Sequence, residues 1–297
     1  MGIAFTGCGV PQQGDAAGSD PRASAELIRE VEAWREERHA RLIRPYGYLS
    51  LIALSWLENG ENAFGSDPNL PIVLPAEDAP ALAGSFFLEG ERVRVEIAQD
   101  AQVTLDGEPV RSAVLRADDP GPADILLLGN LHIFVVKRGE RYGIRVQDPD
   151  ASTLVSFRGV ENFPISDEYV VDARFVPYEE ARTVQVPTVL GTTVEMKAFG
   201  RVDFDLAGET LSLEPFADSL DDETYWLIFK DRSSGVDTYA AGRFLIAPRP
   251  NDGIMRINFN KSYNPPCAFT AFATCPLPPQ QNVLNVRIAA GEKKYHE

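Results

Sequence analysis

The residues best suited to chemistry lie near the C-terminus, on two predicted strands and the loop after them. Alternating apolar residues predict strands over residues 238–246 and 254–260, joined by a turn at 248–253. An antiparallel register that pairs residue 244 with residue 257 places the arginines and asparagines of both strands on one face. With the loop, this face provides six candidate ligand-binding residues: Arg243, Asn258, Asn260, Lys261, Tyr263 and Asn264.

Guanidinium and amide groups in one row could bind a carboxylate or a phosphate through paired hydrogen bonds. We therefore expect a small anionic ligand or an extended chain at this row. Two other functions stay open. The loop could serve a hydrolase or transferase, with Tyr263 or Lys261 as proton donor or a reduced Cys267 as nucleophile. The row could instead be an interface of a structural or assembly protein, or ordinary solvated surface.

Cys267 and Cys275 bracket residues 268–274 and predict one of two arrangements. In an oxidising compartment they could form a disulfide, which would stabilise the fold by about 2–3 kcal/mol on the chain-entropy estimate. In the alternative arrangement they are two buried thiols that pack as small apolar groups. No CxxC pair or neighbouring histidine supports zinc, so we predict no metal.

Other catalytic arrangements have little support in this sequence. The three histidines, His39, His132 and His296, are too few for a histidine-rich metal site. No GxxxxGK[ST] or GxGxxG loop is present to hold a nucleotide, and we predict no cofactor.

The N-terminal residues carry a possible signal for the cellular location of the protein. Thr6-Gly7-Cys8 resembles the end of a bacterial lipoprotein signal, although only residues 3–5 provide its apolar core. We interpret residues 1–20 as a disordered tail with a candidate lipidation site at Cys8, and we expect a cell-envelope or secreted protein. Myristoylation at Gly2 and an ordinary disordered tail with a stray cysteine are the alternatives, and a cytoplasmic location stays open.

Composition restricts the partners. The chain has 297 residues, with 28 basic and 44 acidic side chains and a net charge of −16. Such a chain repels polyphosphate, so we expect no nucleic acid partner. No run approaches the roughly 18 apolar residues of a membrane helix, so we expect membrane contact only through a lipid anchor.

Periodicity predicts the elements that position the candidate residues. Apolar residues at helical spacing predict a helix that begins at Asp20-Pro21, and a second short helix follows over residues 48–57. After Gly60 the period changes to two, with closely spaced strands and no helices between them. The prediction is a mainly β protein in which N-terminal helices (21–58) precede two β-sandwich or barrel modules (59–150 and 151–297).

Within the second module, more local predictions follow. Residues 202–213 are predicted to form a hairpin that turns near Gly208, with Phe204 opposite Leu211 and Val202 opposite Leu213. Residues 177–187 are predicted to be a connection. The Asn-Pro-Pro-Cys loop at residues 264–267 carries two prolines, which make it rigid.

The first module resembles the forkhead-associated sandwich. The resemblance lies in the strings at residues 62–68, 72–75, 103–110 and 126–129. That family typically binds phosphothreonine with an arginine after its first glycine and a Ser-x-x-His pair. Here Ser66 follows Gly65, and residues 81–85 supply neither a cation nor a histidine, so the resemblance implies the architecture without phosphothreonine binding.

Longer strings resemble the prokaryotic family known as domain of unknown function 1684. They include Tyr239-x-x-Gly242-Arg243-Phe244-Leu245 and the stretches at residues 259–269, 273–282 and 290–295. The strings at residues 60–67 and 141–146 resemble the same family. The resemblance implies exported or lipid-anchored proteins in many members, and it brings no established activity.

Overall fold

The computed structural model describes residues 23–295. The predicted tail at residues 1–20, its Cys8, the predicted helix start at Asp20-Pro21, and His296 lie outside the described residues.

The main helix, α1, begins at Ala25, and the Ser24 hydroxyl accepts a hydrogen bond from the Leu27 backbone N at 3.2 Å. This side-chain cap satisfies one of the unpaired N–H groups at the helix N-terminus. No helix within residues 23–295 is long and apolar enough to cross a membrane. The helices are α1 (Ala25–Leu42) and α2 (Ser152–Val155), with short 3₁₀ turns at Tyr48–Ser50, Asp167–Tyr169, Phe259–Lys261, Pro266–Ala268 and Gln280–Asn282.

The first module is a sandwich of two sheets that enclose one apolar core, which includes Phe64, Phe86, Leu126, Ile133 and Ile144. One sheet has the order β1-β11-β10-β9-β6-β7 and the other β3-β2-β4-β5-β8. Their strands are β1 (Leu51–Trp56), β2 (Gly60–Gly65), β3 (Ile72–Val73), β4 (Gly84–Glu89), β5 (Arg92–Ile97), β6 (Val103–Leu105), β7 (Glu108–Pro109), β8 (Ser112–Leu115), β9 (Ile125–Leu128), β10 (Leu131–Arg138) and β11 (Arg141–Gln147).

The predicted second helix over residues 48–57 is wrong. Only a 3₁₀ turn forms at its start, and Leu51–Trp56 is strand β1, paired antiparallel with β11. The partner lies about ninety residues later in the chain, as in the pair Leu51–Gln147. Because strand preference depends on such neighbours, the local apolar run could not distinguish a strand from a helix.

The second module also consists of sheets around apolar cores. A four-stranded sheet has the order β14-β13-β12-β17, and β15 pairs with β16. The predicted hairpin is confirmed, with Val202 opposite Leu213 and Phe204 opposite Leu211. The strands are β12 (Val170–Pro187), β13 (Thr193–Leu206), β14 (Glu209–Leu213), β15 (Thr224–Phe229), β16 (Arg243–Pro248) and β17 (Ile254–Asn258).

Two predictions about this module are wrong. Residues 177–187 belong to the long strand β12, whose pairing with β13 shifts between Pro177 and Arg182. The predicted pairing of residue 244 with 257 does not form either. Instead β16 pairs with β15 (Phe244 with Ile228), and β17 pairs with β12 (Ile257 with Val171). Non-local partners have replaced the hairpin that the turn at 248–253 suggested.

The two modules and α1 meet at the outer face of β10 and β11. The Arg138 Nε donates to the Thr274 hydroxyl at 2.7 Å, and an Arg145 amino group donates to the Phe272 carbonyl at 3.2 Å. On the other side, Leu42 of α1 packs with Phe157 and Phe269 of the second module. These contacts surround a cavity.

Candidate functional site

A cavity of about 590 Å³ lies where α1 and both modules meet. Ligand sites in proteins typically have volumes of roughly 300–1,000 Å³, so this cavity can hold a small molecule. Its lining residues are Trp34, Arg38, Arg41, Tyr48, Arg138, Arg145, Trp226, Phe244, Ile246, Lys261, Tyr263, Pro266, Ala273, Thr274, Cys275 and Pro276.

The charge of the cavity is opposite to that of the protein. Five of the lining side chains are cationic and none is a carboxylate, although the chain has a net charge of −16. The cations come from three separate parts of the fold: Arg38 and Arg41 from α1, Arg138 and Arg145 from the first module, and Lys261 from the second. Convergent like charges repel one another, which makes the cavity a favourable environment for an anion.

Three of these cations have carboxylate partners outside the lining. Arg38 pairs with Glu292 at 2.9 Å, Arg138 forms two 2.8 Å hydrogen bonds to Asp118, and Lys261 pairs with Glu30 at 2.6 Å. The Lys261 ammonium lowers the pKa of the Glu30 carboxyl, and burial opposes this. The remaining two cations, Arg41 and Arg145, make no ion pair within residues 23–295.

Arg145 is the exceptional member of the set. It is 6% exposed, and among residues 23–295 its Nε has no hydrogen-bond partner and its one hydrogen bond goes to the neutral Phe272 carbonyl. Burial lowers the pKa of the guanidinium, nearby Arg138 lowers it further, and Asp118 opposes the shift. Because Asp118 already forms its ion pair with Arg138, Arg145 is a buried cation without a counter-ion.

Aromatic side chains form another part of the cavity wall. The Trp226 ring meets Phe244 edge-on at 4.7 Å, and Phe244 meets Tyr263 edge-on at 5.9 Å. Trp34 of α1 lies 6.3 Å from Tyr263. The Arg38 guanidinium stacks over Tyr263 at 4.7 Å, which fixes that ring from the side of α1. We call Trp34, Trp226, Phe244 and Tyr263 the aromatic wall.

Tyr263 is a neutral donor at physiological pH. Burial raises the pKa of its hydroxyl to about 12, and the positive charges of Arg38 and Arg41 oppose the shift. The phenol therefore keeps its proton and cannot act as a base near neutrality.

Cys267 and Cys275 are free thiols in the structure, and Cys275 lines the cavity. The Cys267 backbone N donates to the Cys275 Sγ at 3.2 Å. A side-chain hydrogen bond between the two thiols lowers the pKa of Cys267 and raises that of Cys275. Cys267 is therefore the better nucleophile of the two.

Arg243 does not line the cavity, contrary to the predicted polar row. It is 1% exposed and lies in the second module, where it pairs with Asp231 at 3.3 Å. It also donates to the Ile288 carbonyl at 3.0 Å and to the Ala290 carbonyl. The prediction placed Phe244 and Ile246 on the core face of the strand, whereas Arg243 lies on the face that Leu245 and Ala247 bury in the core of the second module.

The predicted asparagines are also buried away from the cavity, and they bind the protein's own backbone. Asn260 exchanges hydrogen bonds with the Ser166 backbone at 3.0 and 2.9 Å, and its own backbone N donates to the Asn258 side chain at 3.1 Å. Asn264 donates to the Lys293 carbonyl at 2.7 Å. Of the six predicted ligand-binding residues, only Lys261 and Tyr263 line the cavity.

Sequence reasoning missed four of the five cations. Arg38 and Arg41 look like the solvated face of a charged helix, and Arg138 looks like the end of a strand. Arg145 carried a usable signal, because a single charge interrupts the apolar run Tyr142-Gly143-Ile144-Arg145-Val146. A charge inside a buried strand needs a partner or a ligand.

The described histidines lie outside the cavity. His39 stacks on Phe157 at 5.8 Å and His132 on Tyr46 at 3.4 Å. Residues 23–295 contain no cluster of three or more histidine, cysteine or acidic side chains that could hold a metal ion.

Known proteins resemble parts of the chain. The family described as protein of unknown function (DUF1684) matches residues 155–293, which excludes the similar strings at residues 60–67 and 141–146. The FhaA FHA domain, solved in complex with the intracellular domain of Rv3910, is 16% identical and covers 32% of this chain and 97% of its own, with a TM-score of 0.23. A structure from a study of phosphothreonine-dependent FHA domain interactions is also 16% identical, over 32% of this chain and 92% of its own, with a TM-score of 0.23.

A third structure has higher identity. The uncharacterized protein from gene locus rrnAC0354 of Haloarcula marismortui, solved by NMR, is 31% identical. The similarity covers 47% of this chain and 78% of that protein, with a TM-score of 0.40. No curated protein matches the chain. The chain is 31% identical to the Haloarcula protein over 78% of that protein's length, and the family model matches residues 155–293. Together these two matches show that this chain belongs to the DUF1684 family of proteins of unknown function.

Proposed function

We propose that this protein binds a small anionic ligand in the cavity between α1 and its two modules. The observation that carries the proposal is Arg145, a buried guanidinium without a carboxylate partner. An unpaired buried charge has a high free-energy cost, and a bound anion would remove it. The surrounding cations add long-range attraction, and Tyr263 adds a neutral hydrogen-bond donor.

The ligand would bind as follows. Its charged group would accept hydrogen bonds from Arg145, whose Nε is unused. Arg41 is exposed and has no ion pair in the described part of the chain, so it would attract the ligand at the entrance. Lys261 and Arg38 are held by Glu30 and Glu292, and they contribute charge without having to be reoriented.

Native mass spectrometry of gently purified protein tests the proposal. We expect a non-covalent adduct in the wild type that is absent from Arg145→Met. Arg141→Met is the matched control, because it removes the same charge from the same strand where Arg141 stacks on Trp56 outside the cavity. The adduct should survive in this control. Equal adducts in all three proteins, or none in any, would contradict the proposal.

The cell envelope is the location that we propose for this binding protein. The support comes from Thr6-Gly7-Cys8 and from the exported members that the family resemblance implies. Fractionation of cells that produce the wild type and Cys8→Ser tests the location. The wild type should be found with membranes and the variant released from them; two equally soluble proteins would contradict the lipid anchor.

A further inference from the structure

The cavity has a cationic wall and an aromatic wall, and the two modules contribute differently to them. Arg138 and Arg145 are contributed by β10 and β11 of the first module. Trp226, Phe244 and Tyr263 are contributed by the second. A ligand that contacts both walls must carry its charge at one side and an apolar surface at the other.

The aromatic wall is rigid and still partly uncovered. Edge-on contacts fix Phe244 against both Trp226 and Tyr263, and Trp34 leans on Tyr263 from α1. Yet Trp34, Trp226 and Tyr263 remain only half-buried. An inorganic anion would leave this aromatic surface in contact with water, whereas a flat ring would cover it and gain hydrophobic and stacking energy.

The position of Arg145 defines where the charge would lie. Arg145 and Tyr48 line both the large cavity and an adjacent recess of about 260 Å³. The guanidinium therefore lies where the two spaces adjoin. With the anionic group at this junction, the larger cavity remains free for the rest of the ligand.

The geometry points to a planar aromatic anion as the ligand, with its charged group on Arg145 and its ring against the aromatic wall. This inference rests on the proposed function and specifies the class of ligand. The charged group of the ligand would neutralise Arg145, and its ring would cover the exposed part of the aromatic wall.

Isothermal titration calorimetry with three probes separates these contributions. 1-Naphthyl phosphate carries both features, inorganic phosphate only the charge, and 1-naphthol only the ring. We expect 1-naphthyl phosphate to bind the wild-type protein at least tenfold more tightly than either single-feature probe. Equal affinities for the two phosphates would overturn the aromatic inference while leaving the proposed function standing. Binding of 1-naphthol alone, or of no probe, would overturn both.

Variants of the aromatic wall provide the second test. Trp34→Leu and Trp226→Leu should each weaken 1-naphthyl phosphate binding about tenfold and leave the affinity for phosphate unchanged. Trp34→Leu keeps the test informative if Trp226→Leu does not fold, because Trp226 belongs to the paired strand β15. Trp56→Leu is the matched control, since Trp56 lies in β1 and does not line the cavity. A loss in Trp56→Leu equal to that in Trp34→Leu would contradict the inference.

Discussion

Two buried arginines in this protein have opposite surroundings. Arg243 pairs with Asp231 and donates to two backbone carbonyls, and the pair has no solvent-exposed side-chain surface. Within the described part of the chain, Arg145 has a single carbonyl partner and no carboxylate partner, and a cavity lies beside it. Burial alone therefore does not reveal the role of a charged side chain. A buried cation with its own counter-ion forms a structural pair that is costly to break, whereas one without a counter-ion is a candidate binding group.

The largest expected effect is on stability. Arg243→Met would leave the buried Asp231 carboxylate without its cation, and such a change typically costs about 3–5 kcal/mol. Arg145→Met replaces an unpaired charge by an apolar side chain of similar length, so the free energy of unfolding should fall by less than about 1 kcal/mol, or rise. Urea denaturation measures both values. Equal losses in the two variants would remove the distinction between the arginines.

Two tyrosines extend the comparison to alkaline pH. Tyr178 donates to the Glu214 carboxylate at 2.6 Å, whereas Tyr263 lies in the cavity. Burial is the main cause that raises the pKa of each to about 12. The folded pKa exceeds the unfolded value of about 10, so both groups favour the folded state below pH 10, and this stability is lost as the pH rises from about 10 to about 12.

Replacing each tyrosine by phenylalanine should therefore distinguish the cavity, where Tyr263 lies, from the Tyr178–Glu214 pair. Tyr263→Phe should make the loss of stability between about pH 10 and pH 12 shallower, with little change at pH 7. Tyr178→Phe should also make the loss of stability between about pH 10 and pH 12 shallower. In addition, it should lower the free energy of unfolding by about 1 kcal/mol at pH 7, because Glu214 loses a hydrogen bond. Urea midpoints measured at several pH values provide the data. An unchanged slope in Tyr263→Phe would show that this phenol does not titrate as described.

The smallest effect concerns the thiols beside the cavity. In a Cys8→Ser background, iodoacetamide should alkylate Cys267 before Cys275, because their hydrogen bond lowers the pKa of Cys267 and raises that of Cys275. Peptide mass mapping of the native protein gives the order. The reverse order would contradict the described pair. No labelling, together with a denatured mass lighter by two hydrogens, would show a disulfide and eliminate Cys267 as a nucleophile.

The sequence predicted those parts of the fold that depend on neighbours along the chain. The hairpin of Val202 with Leu213 was predictable because Gly208 supplies a turn and the flanking residues alternate. The pairing of β16 was not predictable in the same way. The turn at 248–253 suggested β17 as its partner, but β15 pairs with it instead, and β17 joins β12 some eighty residues earlier. Long-range pairing depends on packing that no local pattern contains.

The candidate site was predictable only in part, for the same reason. Lys261 and Tyr263 were found because they lie in one distinctive loop. Arg38 and Arg145 come from distant segments, and only the docking of α1 and the two modules brings them to one cavity. The sequence pattern placed Arg243 on the solvent face because Phe244 and Ile246 were expected to face the core, whereas the face with Leu245 and Ala247 packs into it.

The most direct test of the account is the stabilisation of the protein by an anion. The free energy of unfolding of the wild type, Arg141→Met and Arg145→Met should be measured with and without 1-naphthyl phosphate. A ligand that binds only the folded state at a hundred times its Kd stabilises it by about 2.7 kcal/mol. We predict this gain for the wild type and Arg141→Met, and almost none for Arg145→Met. The same gain in all three proteins, or none in the wild type, would contradict the assignment of Arg145 as the anion-binding group.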